Sequence, residues 1–272
     1  MRLVVSLITG LFLSCGAVQA GEAEDMDALL EALRINDAVE IMRAEGLVYG
    51  NEIAADMLPE TSEDAWAAQL SRIYDTDRLA GQVSTRLAEA LAGTDLAPLV
   101  AFMTSETGRE IVALEISARE AFLDPATEDA AFASYEAAKE EQTILYRKVQ
   151  VLIEDSALVD FNVMGALNAN LMFYRGLEDG GAIEMGESEM LKDVWAQEDA
   201  VRAESESWLG AFLMMAYRPL DPDALEAYTA FYRTPEGQAL NAAIFEAYDG
   251  MYEQVSYLLG RAVARQMTSE EL

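Results

Sequence analysis

From Asp25 onward the chain contains no run of alternating β-branched residues that is long enough to require a β-sheet. The same region is rich in Ala, Leu, Glu and Met, which favour helices, and the whole chain has only six prolines in 272 residues. Apolar residues recur in it at helical spacing. The sequence therefore predicts an all-α protein.

Helix start and stop signals divide this region into separate segments. Residues 177–187 contain three glycines and are predicted to form the one clear loop, and residues 268–272 are predicted to fray. The predicted helices cover residues 25–34, 37–58, 63–74, 76–92, 95–104, 106–123, 127–154, 157–176, 188–218, 222–233 and 235–262.

The strongest local signal is a helix–corner–helix unit within residues 221–262. Asp221 has the form of an N-cap that is followed by Pro222 at the first helical position, where the missing N–H of proline costs nothing. Thr234 and Pro235 repeat the same device. Because the residue before a proline is pushed out of the helical region, the chain is expected to turn a corner at Thr234. Gly237 follows inside the second helix, and we expect it to allow the close approach of a neighbouring helix.

The segment 231–238, with the sequence FYRTPEGQ, lies between a short helix with an acidic cap and a longer helix. It resembles the signature of a bacterial envelope family known as domain-of-unknown-function family 2059, and the resemblance covers residues 221–265. It implies an exported, all-helical domain, and it supplies no known substrate, cofactor or catalytic residue. The residues singled out here, for a structural or an interaction role, are Phe231, Tyr232, Arg233, Thr234, Pro235 and Gly237.

A comparison of the chain with itself indicates an internal duplication at a constant offset of 129 residues. We therefore predict two similar multi-helix halves, residues 22–125 and 156–272, joined by a bridging helix within residues 126–155. Apolar residues at heptad positions of the bridge favour packing across both halves, with pairing to another subunit as the alternative. The matched pairs are Asp64 with Asp193, Trp66 with Trp195, Gly81 with Gly210, Leu96 with Leu225, Phe102 with Phe231, and Gly108 with Gly237.

The N-terminus has the features of a secretory signal sequence. Arg2 provides the positive charge, residues 3–13 form an apolar run that is too short to span a bilayer, and residues 18–20 form a small-residue cleavage site. We predict a periplasmic protein with residues 1–20 removed and no transmembrane segment after cleavage. Lipid modification at Cys15, the only cysteine, is the alternative.

Composition excludes several kinds of chemistry. The chain has no histidine, so His-dependent acid–base catalysis, catalytic triads and His-ligated metals are unavailable. Cleavage after residue 20 would also remove the only thiol. No glycine-rich phosphate loop is visible. The net charge of −31 disfavours binding to nucleic acid and to anionic membranes. We accordingly predict no cofactor and no nucleic-acid partner.

Three groups of residues allow a structural or a functional interpretation. The acidic side chains around the glycine loop could hold a calcium ion, but a solvated acidic loop is favoured. The tryptophans at 66, 195 and 208 are interpreted as core anchors. Aromatic and methionine side chains on the helices near 188–218 and 222–233 are interpreted as core, with an apolar ligand groove as the alternative. This group comprises Phe212, Met214, Met215, Tyr217, Tyr228, Phe231 and Tyr232.

These observations favour a non-catalytic module that acts through contacts with an unidentified envelope protein. The alternative is a module that binds a small molecule or lipid in an apolar groove of the second half. A third hypothesis, a carboxylate-dependent hydrolase, requires two acids that converge in a cleft with separated pKa values.

Overall fold

A computed structural model describes residues 14–58 and 63–270, and every regular element in this part of the chain is an α-helix. The all-α prediction is confirmed. The helices are α1 (Ser14–Ala32), α2 (Ile35–Met57), α3 (Glu63–Ile73), α4 (Thr76–Ala90), α5 (Ala97–Met103), α6 (Glu106–Ala121), α7 (Pro125–Glu141), α8 (Ile144–Asp155), α9 (Leu158–Asp179), α10 (Glu187–Trp195), α11 (Glu198–Tyr217), α12 (Pro222–Tyr232) and α13 (Pro235–Glu270).

The predicted single helix over residues 127–154 is wrong, because α7 and α8 are separate. Gln142 adopts a left-handed conformation with φ of 54°, and its side-chain amide donates a hydrogen bond to the carbonyl oxygen of Lys139. Thr143 then caps α8 by accepting a hydrogen bond from the backbone N–H of Tyr146 at 3.2 Å. The two short helices pack against α11 and α12, so the bridge lies on the rest of the chain.

Other boundaries also differ from the prediction. The segment 188–218 is two helices, α10 and α11, which meet at residues 196–197. The glycine loop narrows to residues 180–186, and α13 continues to Glu270, so residues 268–270 are helical where fraying was expected. Residues 1–13 and the side chains of residues 14–20 lie outside the described residues. The signal sequence and the lipidation of Cys15 therefore stay predictions.

Helices α9 and α13 lie side by side and run in the same direction. Phe161 stacks on Phe245 near their N-terminal ends, with ring centroids 4.6 Å apart. Further along, a Cβ atom placed on Gly176 would overlap the carbonyl oxygen of Tyr257, and one on Gly260 would overlap that of Phe173. These glycines bring the two backbones into direct contact, and α13 packs against α4 as well.

One main hydrophobic core includes buried side chains from both predicted halves. Leu29 and Val83 belong to the first half, Tyr217 and Val263 belong to the second, and all four are at most 1% exposed in the same connected cluster. A smaller cluster on α9 and α10 contains Val163, Leu167 and Val194. The two halves therefore share their interior.

The two corners that the duplication matches have the same local geometry. The hydroxyl groups of Ser105 and Thr234 each accept a hydrogen bond at 3.0 Å from the backbone N–H three residues later. Each hydroxyl also donates to the carbonyl oxygen three residues earlier, that of Phe102 or Phe231. The rings of Phe102 and Phe231 stack on each other, 4.2 Å apart with an interplanar angle of 7°.

Away from the corners the matched regions differ. Helix α6 has 16 residues, whereas α13, which begins at the matching position, has 36. Trp66 is buried, but its match Trp195 is 51% exposed. The duplication of whole halves thus stays a prediction, and the corner geometry is what the two regions share.

Candidate functional site

Most residues of the FYRTPEGQ segment build the corner between α12 and α13. Thr234 caps α13, and Pro235 occupies its first position. A Cβ atom on Gly237 would overlap the carbonyl oxygen of Phe231, so the close neighbour expected at this glycine is the end of α12. Arg233 lies at the surface and pairs with Asp155 at 2.6 Å.

Tyr232 is the member of this segment that reaches a cavity of about 560 Å³, which is partly open to solvent. The cavity lies between α2, α4, α5 and α6 on one side and α9, α11, α12 and α13 on the other. The groove expected within the second half is therefore an interior space lined by helices of both halves. Its walls are largely apolar and include Met42, Val83, Leu87, Met103, Val112 and Ile116.

Glu115 on α6 is the centre of a buried hydrogen-bond cluster at one wall of this cavity. Its Oε1 atom accepts hydrogen bonds from the hydroxyl groups of Tyr217, at 2.5 Å, and Tyr228, at 3.2 Å. The hydroxyl groups of Tyr228 and Tyr232 lie 3.1 Å apart. Because Tyr228 donates its hydrogen to Glu115, the hydrogen between the two phenols comes from Tyr232. Two phenols thus donate to one carboxyl oxygen, and the third donates to one of them.

Burial controls the protonation of this cluster. It raises the pKa of Glu115, and the hydrogen bonds from Tyr217 and Tyr228 offset part of that rise. Burial, together with the nearby Glu115, also raises the pKa values of Tyr217, Tyr228 and Tyr232, so these phenols are neutral hydrogen-bond donors near pH 7.

Arg119 lies one helical turn beyond Glu115 and also lines the cavity. It donates two hydrogen bonds to the carboxylate of Glu45, at 2.9 and 3.0 Å, and one to the hydroxyl of Tyr252 at 3.3 Å. The guanidinium carbon lies 6.0 Å from the ring centroid of Trp208. The positive charge of Arg119 is therefore balanced within the protein by Glu45.

Asp249 on α13 is a second carboxyl group that lines the cavity. It faces Gly165 on α9, where a Cβ atom would overlap the carboxyl oxygen Oδ1. Burial, and secondarily the charge of Glu253, raises the pKa of Asp249 to about 6. Gly165 thus leaves room for a carboxyl group that loses its proton near pH 6, well above the ordinary range of an aspartate.

Replacing Asp249 with asparagine is expected to stabilise the protein at pH 8 and to have little effect at pH 4. The folded pKa of about 6 lies above the ordinary value of 3.8, so the folded state holds the proton more tightly and ionisation costs stability as the pH rises through 6. Allowing for the exposure of Asp249 to water, we expect a gain of about 1 kcal/mol at pH 8. Urea denaturation at pH 4 and at pH 8 measures the difference in the free energy of unfolding between this variant and the wild type. Glu246→Gln, at an exposed position of the same helix, is the control; an equal gain at both pH values would contradict the assignment.

The aromatic and methionine side chains singled out in the sequence lie partly in the cavity wall and partly in the hydrophobic core. Phe212, Tyr228 and Tyr232 line the cavity, and Tyr217 lies behind the wall as a donor to Glu115. Phe231 packs on Phe102. Among the tryptophans, Trp66 is buried and Trp208 lines the cavity, but Trp195 is half-exposed. The interpretation of Trp195 as a core anchor is therefore wrong.

The acidic side chains around the glycine loop make separate contacts. Glu187 pairs with Arg175 at 2.7 Å, and Asp179 accepts a hydrogen bond from the hydroxyl of Tyr257 at 2.7 Å. Within residues 14–58 and 63–270, no three acidic side chains are arranged so that they could hold a metal ion.

Sequence reasoning did not single out Glu115, Arg119 or Asp249. A usable signal existed for Glu115, which lies four residues after Ile111 and three before Ala118, on the buried stripe of α6. An acidic residue on an apolar stripe is rarely buried without a specific partner. Its partners belong to α11 and α12, about a hundred residues away in sequence.

Comparison with protein-family models, with curated proteins and with solved structures found no match to this chain. The resemblance of residues 221–265 to family 2059 therefore stays a prediction. Among the described residues, none of the helices combines the length and the apolar character that crossing a membrane requires.

Proposed function

We propose that this protein binds a small, mostly apolar molecule in the cavity between its two predicted halves. The observation that carries the proposal is the cavity itself, whose volume of about 560 Å³ falls in the range of roughly 300–1,000 Å³ that ligand pockets occupy. Apolar walls with a few convergent polar groups, here Glu115, Arg119 and Asp249, are typical of sites that bind the body of a ligand and orient one polar end.

The composition and size of the cavity also favour a ligand site over a core that is filled by its own side chains. A space of this size in a helical core forfeits dispersion contacts and is costly for stability unless a ligand or solvent occupies it. Methionine side chains such as Met42 and Met103 adapt to ligands of different shape.

We propose that the binding takes place in the periplasm, in keeping with the predicted signal sequence. The sequence favoured a module that contacts an envelope protein, with ligand binding as the alternative.

Binding of N-phenyl-1-naphthylamine, a neutral apolar fluorophore, tests the proposal. We expect an increase in its fluorescence that saturates at one probe per chain with a dissociation constant in the micromolar range. Ala166→Phe places a large side chain in the cavity wall and is expected to weaken binding at least ~10-fold, since the added ring occupies volume that the ligand would fill. Ala133→Phe, at an exposed position of α7, is the matched control.

Native mass spectrometry of protein purified from envelope extracts without detergent provides a second measurement, and we expect bound mass that Ala166→Phe removes. Circular dichroism confirms that both variants are folded. Absence of saturable probe binding by the wild-type chain, or equal binding by both variants, would reject the cavity as a ligand site. The interaction module and the carboxylate-dependent hydrolase would then be the remaining hypotheses.

A further inference from the structure

We propose that the cavity selects an organic cation, an apolar body that carries one ammonium group, and that Glu115 binds the ammonium group. This inference rests on the proposed function and names the chemical class of its ligand. Three observations carry it: the balance of charges around the cavity, the direction of the hydrogen bonds at Glu115, and the aromatic rings beside it.

The charged groups at the cavity leave a deficit of positive charge. Of the residues that the structure describes, Glu115, Asp249 and Arg119 are the ionisable acidic and basic side chains in the wall. The bidentate pair with Glu45 already balances Arg119. Neither Glu115 nor Asp249 forms an ion pair with a basic side chain of the described residues. A ligand that carries a positive charge would supply the missing partner.

The hydrogen bonds around Glu115 are arranged for a negative charge. Tyr217 and Tyr228 both donate a hydrogen bond to Oε1, and the hydroxyl of Tyr232 donates one to the hydroxyl oxygen of Tyr228. Charge-assisted hydrogen bonds of this kind are the stronger ones, and they offset part of the rise in the pKa of Glu115 that burial causes. An ammonium group beside Glu115 would favour the ionised carboxylate further. Glu115 lines the cavity, so its carboxylate is also available to an ammonium N–H of a ligand.

Aromatic rings beside Glu115 suit the same ligand. The rings of Tyr228 and Tyr232 lie 4.8 Å apart, and both residues line the cavity together with Phe212. An ammonium group within about 6 Å of an aromatic face is attracted by its quadrupole. An anionic ligand would meet two carboxyl groups and a chain with a net charge of −31, and is therefore disfavoured. Beside a neutral ligand Glu115 would have no countercharge, and burial, which raises its pKa, would favour the neutral acid.

Three probes with ten carbon atoms each test the inference: decylammonium, decanol and decanoate. Their binding is measured below their micellar concentrations, by isothermal titration calorimetry at pH 7.5 and 0.15 M salt. We expect decylammonium to bind at one site per chain and at least ~10-fold more tightly than the other two, because it alone brings a positive charge to pair with the carboxylate of Glu115. Glu115→Gln should remove most of this preference. Glu110→Gln makes the same change of charge at an exposed position of α6 and should retain it.

The outcomes separate this inference from the proposed function. If decanol binds as tightly as decylammonium, or if Glu115→Gln keeps the preference, the cation inference is wrong although the cavity still binds ligands. Binding of decylammonium at several sites, unchanged in Glu115→Gln and in Ala166→Phe, would mean attraction to the acidic surface and would also overturn it. If none of the three probes binds and N-phenyl-1-naphthylamine does not bind either, the proposed function itself fails.

Discussion

Replacement of Gly260 with alanine is expected to destabilise the protein by about 3 kcal/mol, although alanine is the better helix former by about 1 kcal/mol. The added Cβ would overlap the carbonyl oxygen of Phe173 and lie 3.1 Å from the backbone nitrogen of Leu177, both on α9. These neighbours are backbone atoms and do not move aside as a flexible side chain does. The two helices must separate, and contacts along both are lost.

Thermal and urea denaturation measure this effect. For a chain of this size the expected loss corresponds to a decrease in Tm of roughly 6–12 °C. Gly81→Ala is the matched control, because no atom lies within 4 Å of a Cβ at that helical position, and it is expected to stabilise the protein by up to ~1 kcal/mol. If Gly260→Ala were neutral, the direct backbone contact between α9 and α13 would be disproved.

The second large effect is expected at Trp66, where Trp66→Ala should cost about 4 kcal/mol. Trp66 is 3% exposed, and its indole N–H donates a hydrogen bond to the carbonyl oxygen of Gly50 at 3.1 Å. Truncation removes a large buried apolar surface together with the hydrogen bond from the indole to that carbonyl. Trp195→Ala, at the position that the duplication matches, should cost less than ~1 kcal/mol because the side chain is 51% exposed.

Urea denaturation of the two variants gives this comparison directly. Trp66→Phe keeps most of the apolar volume without the donor and should fall between wild type and Trp66→Ala. An equal loss of stability for Trp66→Ala and Trp195→Ala would mean that the two tryptophans have the same environment, contrary to the structure.

Much of the local structure could be predicted, because its causes lie within a few residues. The corner at Thr234 follows from a hydroxyl side chain before Pro235 and a glycine at 237, and the structure has the capping hydrogen bond that this pattern indicates. The weaker pattern at Ser105 has the same geometry. The helical spacing of apolar residues predicted helix over nearly all described residues, because this spacing is also a property of neighbouring residues.

The failures have identifiable physical causes. Residues 127–154 have continuous helical periodicity, and a left-handed residue at Gln142, followed by a Thr143 cap, interrupts it without proline or glycine. The exposure of Trp195 depends on how α10 lies on α9, which no local pattern encodes. Glu115, Arg119 and Asp249 were missed because their partners belong to other helices.

The sequence by itself determined the helical class, the capped corners and the absence of histidine chemistry, since these depend on neighbouring residues and on composition. Only the tertiary structure decided that the two predicted halves share one core, that glycines on α9 and α13 bring their backbones together, and that Glu115 lines a cavity within a cluster of three tyrosines. The reason is that a cavity and its charge balance are properties of helices that meet in space, and residues far apart in the chain supply each wall.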